Sequence, residues 1–229
     1  MEKRFALFDV KGALLSCGAA SAYYTEAIRN IFGLQLDEID LNKYEGMTAQ
    51  MAAESILKEN GVQDSMIKEK MTPFLEELQY SYNNYDGMAH IAKTKSIMAD
   101  GAEEVLRAMQ DKGIELCAVT GELERIATLN MDRAGILKYF RLGIYGSAGR
   151  TYSDLLAAAL GSIKSKYGGY DKAGVFVISS NADMISAAKA EGLKAIAVPD
   201  RNGKNLMSSE ADIHASSIRD PKVLKALTA

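Results

Sequence analysis

Short runs of continuous apolar residues alternate along the chain with segments whose apolar positions recur every three or four residues. The runs are Phe5–Phe8, Ile114–Val119, Leu142–Tyr145, Val175–Ile178 and Leu193–Val198. They have the length of strands, and their apolarity, broken only by Glu115 and Lys194, predicts burial on both faces, as in a parallel sheet covered by helices. Between them, Ala102, Val105, Leu106 and Met109 share a helical face that ends at Gly113. Ile126, Leu129 and Ala134 end likewise at Gly135, and Met184, Ala187 and Ala188 at Gly192. A last helix is predicted from Asp220-Pro221, a capping residue followed by proline at the first helical position. Strand–helix alternation of this kind predicts an α/β fold with an open, mostly parallel sheet.

One stretch departs from the alternation. From about Ser16 to His90 only helical patterns occur. Ala20, Tyr23, Tyr24, Ala27, Ile28 and Ile31 form one amphipathic face, Met51–Asn60 a second helix stopped by Gly61, and Asp64–Tyr82 a third segment interrupted or restarted near Pro73. This predicts an all-helical cap domain over residues 16–90, inserted into an α/β core made of residues 1–15 and 91–229.

Composition narrows the function classes. The 229 residues carry 27 basic and 30 acidic side chains, net charge −3, so no basic excess points to nucleic acid. No apolar run approaches the roughly 20 residues of a membrane helix, and the first run is too short for a signal peptide. A cytoplasmic protein with no nucleic-acid or membrane partner is expected. Cys17 and Cys117 cannot make a disulfide framework, and His90 and His214 lie too far apart for a histidine-rich metal site.

In open parallel sheets, ligands bind beyond the carboxyl ends of the strands. Asp9 follows the first run; Thr120-Gly121 follows the second, at the opening of a helix; Ser179-Ser180-Asn181, then Asp183, follow the fourth. Asp9 has the chemistry of a nucleophile or a metal ligand. Thr120 and Gly121 offer a hydroxyl and free backbone N–H groups to an anion. Thr120 and Ser180 would equally serve as helix caps.

The pattern resembles the haloacid dehalogenase-like hydrolase superfamily, in particular its phosphoglycolate-phosphatase-type members with a helical cap. Phe8-Asp9-Val10-Lys11-Gly12-Ala13-Leu14 stands against F-D-x-D-G-T-L. Asp100–Leu106 looks like the family's return from cap to core, Val119-Thr120-Gly121 like the second motif, and Gly149-Arg150 falls where the third motif has lysine. Val177–Asp183 falls on V-G-D-S-x-x-D, Ala188–Leu193 on its usual continuation, and Ala211-Asp212-Ile213 on a late strand. The resemblance implies a three-layer, Rossmann-like core with an inserted cap.

It also implies roles. Asp9 is the nucleophile position, Lys11 that of the general acid, and Thr120 and Arg150 those of the phosphate-holding hydroxyl and cation. Thr120, Gly121, Arg150, Ser179, Ser180 and Asn181 are the substrate-binding positions. Asp9, Ser179 and Asp183 are the remnant positions of a magnesium site. The chain departs from the family pattern where Lys11 replaces an aspartate, Ala13 a threonine, Arg150 a lysine and Ser179 an aspartate. An ammonium at position 11 facing Asp9 and Asp183 leaves the same net charge as magnesium facing three carboxylates. Lys11 is therefore expected within salt-bridge reach of Asp9 or Asp183, and no cofactor is expected, magnesium being retained only if the degenerate site still binds it.

The resulting expectation is a phosphatase-like protein with weak or absent activity that binds a small phosphorylated or otherwise anionic metabolite. Two alternatives remain. Ser179-Ser180-Asn181 resembles the tripeptide of metal-independent 2-haloacid dehalogenases, in which Asp9 would be the nucleophile. The cap tyrosines Tyr23, Tyr24, Tyr80, Tyr82 and Tyr85 could instead serve an interaction protein.

Overall fold

In the computed structural model, which describes residues 3–16, 21–86, 97–200 and 210–228, the first run is β1 (Phe5–Phe8). A tight turn over Val10–Leu14 leads into the short β2 (Leu15–Ser16). The cap helices follow as α1 (Ala22–Phe32), α2 (Ala49–Glu59) and α3 (Asp64–Asp86). The chain returns through β3 (Ile97–Met98) and continues as α4 (Ala102–Asp111), β4 (Glu115–Val119), α5 (Glu124–Arg133) and β5 (Leu142–Ile144). Then come α6 (Tyr152–Tyr167), β6 (Val175–Ser179), α7 (Ala182–Ala190), β7 (Lys194–Ala197), β8 (Ile213–His214) and α8 (Pro221–Thr228).

Six strands form one sheet in the order β5-β4-β1-β6-β7-β8, every neighbouring pair parallel. Alternation along β1 explains the layers. Phe5 and Leu7 join Val119, Val177 and Ala195 in one core, sealed by Leu155, Leu156 and Ile163 of α6 and Met184 and Ala188 of α7. Ala6 and Phe8 face the other way with Leu116, Ile178 and Ile196, under Leu106 and Met109 of α4, Met131 of α5 and Val223 and Leu227 of α8. Each central strand is thus apolar on both sides, which is why its sequence reads as a nearly unbroken run.

Helix α6 is additional to those singled out by periodicity. It carries its own start signal, a reciprocal capping box between Thr151 and Asp154. Helix α3 runs unbroken through Pro73, against the interruption expected there. Pro73 lies on the exposed face, where the carbonyl it leaves without a partner meets solvent, while the adjacent Phe74, Leu75 and Leu78 pin the helix into the cap core.

The cap core, built from Ala27, Ile28, Ile56, Leu57, Phe74 and Leu78, also takes in Leu123 and Ile126 from the α5 region of the main domain. The cap is attached through the antiparallel β2–β3 ribbon, Leu15 opposite Met98 and Ser16 opposite Ile97. Cys17 and His90 lie outside the described residues. Among the described residues, no helix is long and apolar enough to cross a membrane.

Candidate active site

Strands β4, β1 and β6 are neighbours, so their carboxyl ends bring Thr120, Asp9 and Ser179 to one edge. The backbone N–H of Asp9 donates to Ile178 O at 3.0 Å and that of Thr120 to Ile144 O at 3.0 Å, which extends the parallel ladder to the site itself. Ser179 is the last residue of β6, and it is fully buried. Its Oγ donates to Asp9 Oδ2 at 2.9 Å and accepts from the backbone N–H of Asn181 at 2.8 Å.

Asp9 is only 2% exposed. Burial pushes its carboxyl up from 3.8 to about 7; the Ser179 hydrogen bond pulls the other way, Glu122 adds to the rise and Lys11 opposes it. The turn after Asp9 brings the backbone of Gly12 against Ser180. Gly12 has φ +100°, and a Cβ there would collide with the Ser180 hydroxyl, so both its conformation and the close approach require glycine.

Thr120 does not open α5. The helix begins four residues later at Glu124, with Leu123 as its flanking residue, and Thr120 Oγ1 instead accepts from the backbone N–H of Glu122 at 3.3 Å. At the other helix start it is Asn181, rather than Ser180, that caps α7, accepting from the N–H groups of Asp183 and Met184 at 2.9 and 3.1 Å. Asp183 itself is exposed.

Above this edge lies a cavity of about 400 Å³ between core and cap. Core residues Lys11, Gly12, Thr120, Gly121, Glu122, Tyr152, Ser180 and Asn181 form its floor, and Tyr23, Tyr24, Tyr44 and Met47 are part of its roof. Several bonds hold the roof to the floor. The Ala49 N–H donates to Gly121 O at 2.7 Å, Thr48 Oγ1 donates to Arg150 O, and Asn181 Nδ2 donates to Gly46 O at 2.8 Å. Of the cap tyrosines, Tyr23 and Tyr24 are buried, Tyr80 is 62% exposed, and the side chain of Tyr85 is not described.

Two expected charge relationships turn out differently. Lys11 does not pair with Asp9 or Asp183; its ion pair is with Glu122, Nζ to Oε1 at 3.9 Å. The reason is local. Ser179 already occupies the Asp9 carboxylate, whereas Glu122 stands beside Lys11 in the wall of the cavity. Arg150 is turned to the cap. Its Nε lies 2.9 Å from both Glu54 oxygens and a terminal nitrogen 2.8 Å from Oε2, and the residue is not among those lining the cavity.

Glu122 is the feature that sequence reasoning missed. Its side chain is 16% exposed, Oε2 is buried without a hydrogen-bond partner, and burial raises its pKa while Lys11 lowers it. The only signal was its place directly after Thr120-Gly121.

The donor set fits magnesium poorly. An octahedral hard cation wants several oxygen ligands with carboxylates among them. Here Asp9 is the one buried carboxylate at the three remnant positions, Ser179 presents a hydroxyl already used toward Asp9, and Asp183 is exposed. Among the described residues no group of three or more His, Cys, Asp or Glu side chains could hold a metal ion.

A sequence model described as "haloacid dehalogenase-like hydrolase" matches residues 4–192. Among curated proteins, none matches the chain in sequence. Solved structures do match in shape. A predicted phosphoglycolate phosphatase from Haemophilus somnus aligns with TM-score 0.67 and 17% identity over 98% of both chains. CbbY from Rhodobacter sphaeroides, in complex with phosphate, aligns with TM-score 0.69 and 16% identity over 100% of both chains. A variant of CbbY bound to xylulose-(1,5)bisphosphate gives TM-score 0.68 at 16% identity, again over 100% of both chains. At these identities the likeness is one of fold.

Proposed function

The chain belongs to the haloacid dehalogenase-like hydrolase family, and we propose that within it this protein is a phosphatase-type relative with a degraded magnesium site. It takes a small phosphorylated or otherwise anionic metabolite into the cavity beneath the cap and hydrolyses phosphate esters weakly or not at all.

The observation that carries this reading is the 2.9 Å bond from Ser179 Oγ to Asp9 Oδ2. A hydroxyl stands where the family places a metal-binding carboxylate, and it spends its proton on the nucleophile position. Charge neutralisation by a metal ion contributes several kcal/mol to stabilising a transferring phosphoryl group, and this site offers a metal little to hold. The Arg150 guanidinium is committed to Glu54, so the second source of positive charge is also turned away from the cavity. What favours an anionic ligand is the Thr120-Gly121 turn, the Ser180 and Asn181 groups in the floor, and the Lys11 ammonium. The phosphate and bisphosphate held by the CbbY structures agree with that ligand class.

A second reading has its own support. Ser179-Ser180-Asn181 is organised around the nucleophile position, with Ser179 donating to Asp9 and accepting from Asn181. That suits a metal-independent displacement, in which an Asp9 carboxylate oxygen attacks a carbon, halide leaves, and water cleaves the resulting ester. A panel of phosphomonoesters and 2-haloacids, each with magnesium and with EDTA, decides. Slow or undetectable phosphate release, unchanged by EDTA, is expected. Halide release abolished by Asp9→Asn would establish the second reading. Brisk phosphate release lost in EDTA would overturn both.

A further inference from the structure

The residue two places after the nucleophile is Lys11, an ammonium that is itself ion-paired and ill suited to protonating a leaving alcohol. Its partner is a carboxylic side chain. Glu122 lies 3.9 Å from Lys11 Nζ through Oε1, lines the same cavity, and keeps Oε2 buried without a partner. Its backbone is fixed on both sides, the N–H donating to Thr120 Oγ1 at 3.3 Å and the carbonyl accepting from the Gly146 N–H at 2.7 Å. A carboxyl in the cavity wall, 3.9 Å from the residue that stands where the general acid has been lost, is placed for proton transfer.

We propose that Glu122 is the general acid and base of this site. The proposal rests on reading Asp9 as a nucleophile toward phosphate esters. In the first step an Asp9 oxygen bonds to phosphorus and the bond from phosphorus to the alcohol oxygen breaks. That oxygen takes the proton of the Glu122 carboxyl and leaves as the alcohol. In the second step water attacks phosphorus, gives its proton to the Glu122 carboxylate, and the Asp9–phosphorus bond breaks to release phosphate and the Asp9 carboxylate. Lys11, 3.9 Å from Oε1, pairs with Glu122 in its ionised form, the state in which the second step begins. Burial, which raises the Glu122 carboxyl against the opposing pull of Lys11, keeps it protonated to higher pH than a surface glutamate.

The proposal makes a prediction about leaving groups. Nitrophenolate departs without a proton, whereas an alkoxide needs one. All rates are measured in EDTA, with p-nitrophenyl phosphate and glycerol phosphate as substrates. Glu122→Gln, close in shape to the native side chain, should still release one nitrophenolate per protein in a burst and then stall, because only the second step lacks its base. On glycerol phosphate it should give no burst and lose roughly 10²-fold or more. Glu122→Asp, keeping a carboxyl, should recover part of both rates. Equal effects on the first turnover of both esters, or no effect on either, would overturn the proposal. An unmodified protein that turns over neither ester would overturn it too, while leaving the degraded-site reading intact. Magnesium-dependent turnover, measured separately, is what would sink that reading.

Discussion

Ser179 and Asp9, 170 residues apart in sequence, share a buried 2.9 Å hydrogen bond at the ends of adjacent parallel strands. The bond satisfies one oxygen of a carboxylate that is almost without solvent, yet it does not cancel the cost of burying the charge. That imbalance sets the first expectation.

The Asp9 carboxyl is raised from 3.8 to about 7. A raised carboxyl means that the folded protein holds the proton more tightly than the unfolded chain, so ionisation costs stability. The cost is absent below about pH 4, grows up to about pH 7 and is constant above. Asp9→Asn removes it. In metal-free buffer, the stability of the variant relative to the unmodified protein should rise by roughly 4 kcal/mol across that window. Urea unfolding at a series of pH values measures it; a flat difference would mean that Asp9 is solvated like a surface carboxylate.

Restoring carboxylates should rebuild the metal site only in combination. Lys11→Asp together with Ser179→Asp should give phosphate-ester hydrolysis that depends on magnesium and is lost in EDTA. Lys11→Asp alone leaves a cation under-coordinated, and Ser179→Asp alone leaves the ammonium to repel it. Comparing initial rates of the four proteins at fixed magnesium tests this, and equal activity of a single and the double variant would contradict it.

The contact of cap and floor can be opened sterically. A Cβ on Gly121 would stand 2.9 Å from Thr48 Cα, a backbone atom that cannot swing aside. Gly121→Ala should destabilise the docked cap by roughly 1–3 kcal/mol and break the Ala49–Gly121 bond. Faster proteolysis within residues 41–48 is the expected readout, and an unchanged digestion pattern would show that the backbone absorbs the methyl group.

Releasing Arg150 should sharpen anion binding. The Glu54–Arg150 pair is bidentate but half exposed on the arginine side, 55% against 22%, so Glu54→Gln should change stability by less than about 1 kcal/mol. With the guanidinium free, inorganic phosphate should bind several-fold more tightly by calorimetry. Unaltered affinity would show that Arg150 cannot reach the cavity.

The strands were legible because β1, β4 and β6 are apolar on both faces along nearly their whole length, Glu115 at the start of β4 being the exception before the site-edge residues. The helical cap was legible because about 70 residues pass without such a run. Pro73 misled because its effect depends on which side of the helix it occupies, and that is decided by the packing of Phe74 and Leu78. That Asp9, Thr120 and Ser179 meet at one edge of the sheet could be read from their places at strand ends. Neither the Lys11–Glu122 pair nor the Arg150–Glu54 pair could be. Each joins side chains about 100 residues apart, and their partners are fixed by where α2 and the turn after β4 come to lie, a tertiary outcome with no local code.

The Ala49–Gly121 bond has a mechanical meaning as well. It joins cap backbone to the turn that forms the cavity floor, so any displacement of α2 from that floor costs a main-chain hydrogen bond together with the Thr48–Arg150 and Asn181–Gly46 contacts. Side-chain substitutions inside the cavity leave the main-chain bond in place, because its donor and its acceptor both belong to the backbone.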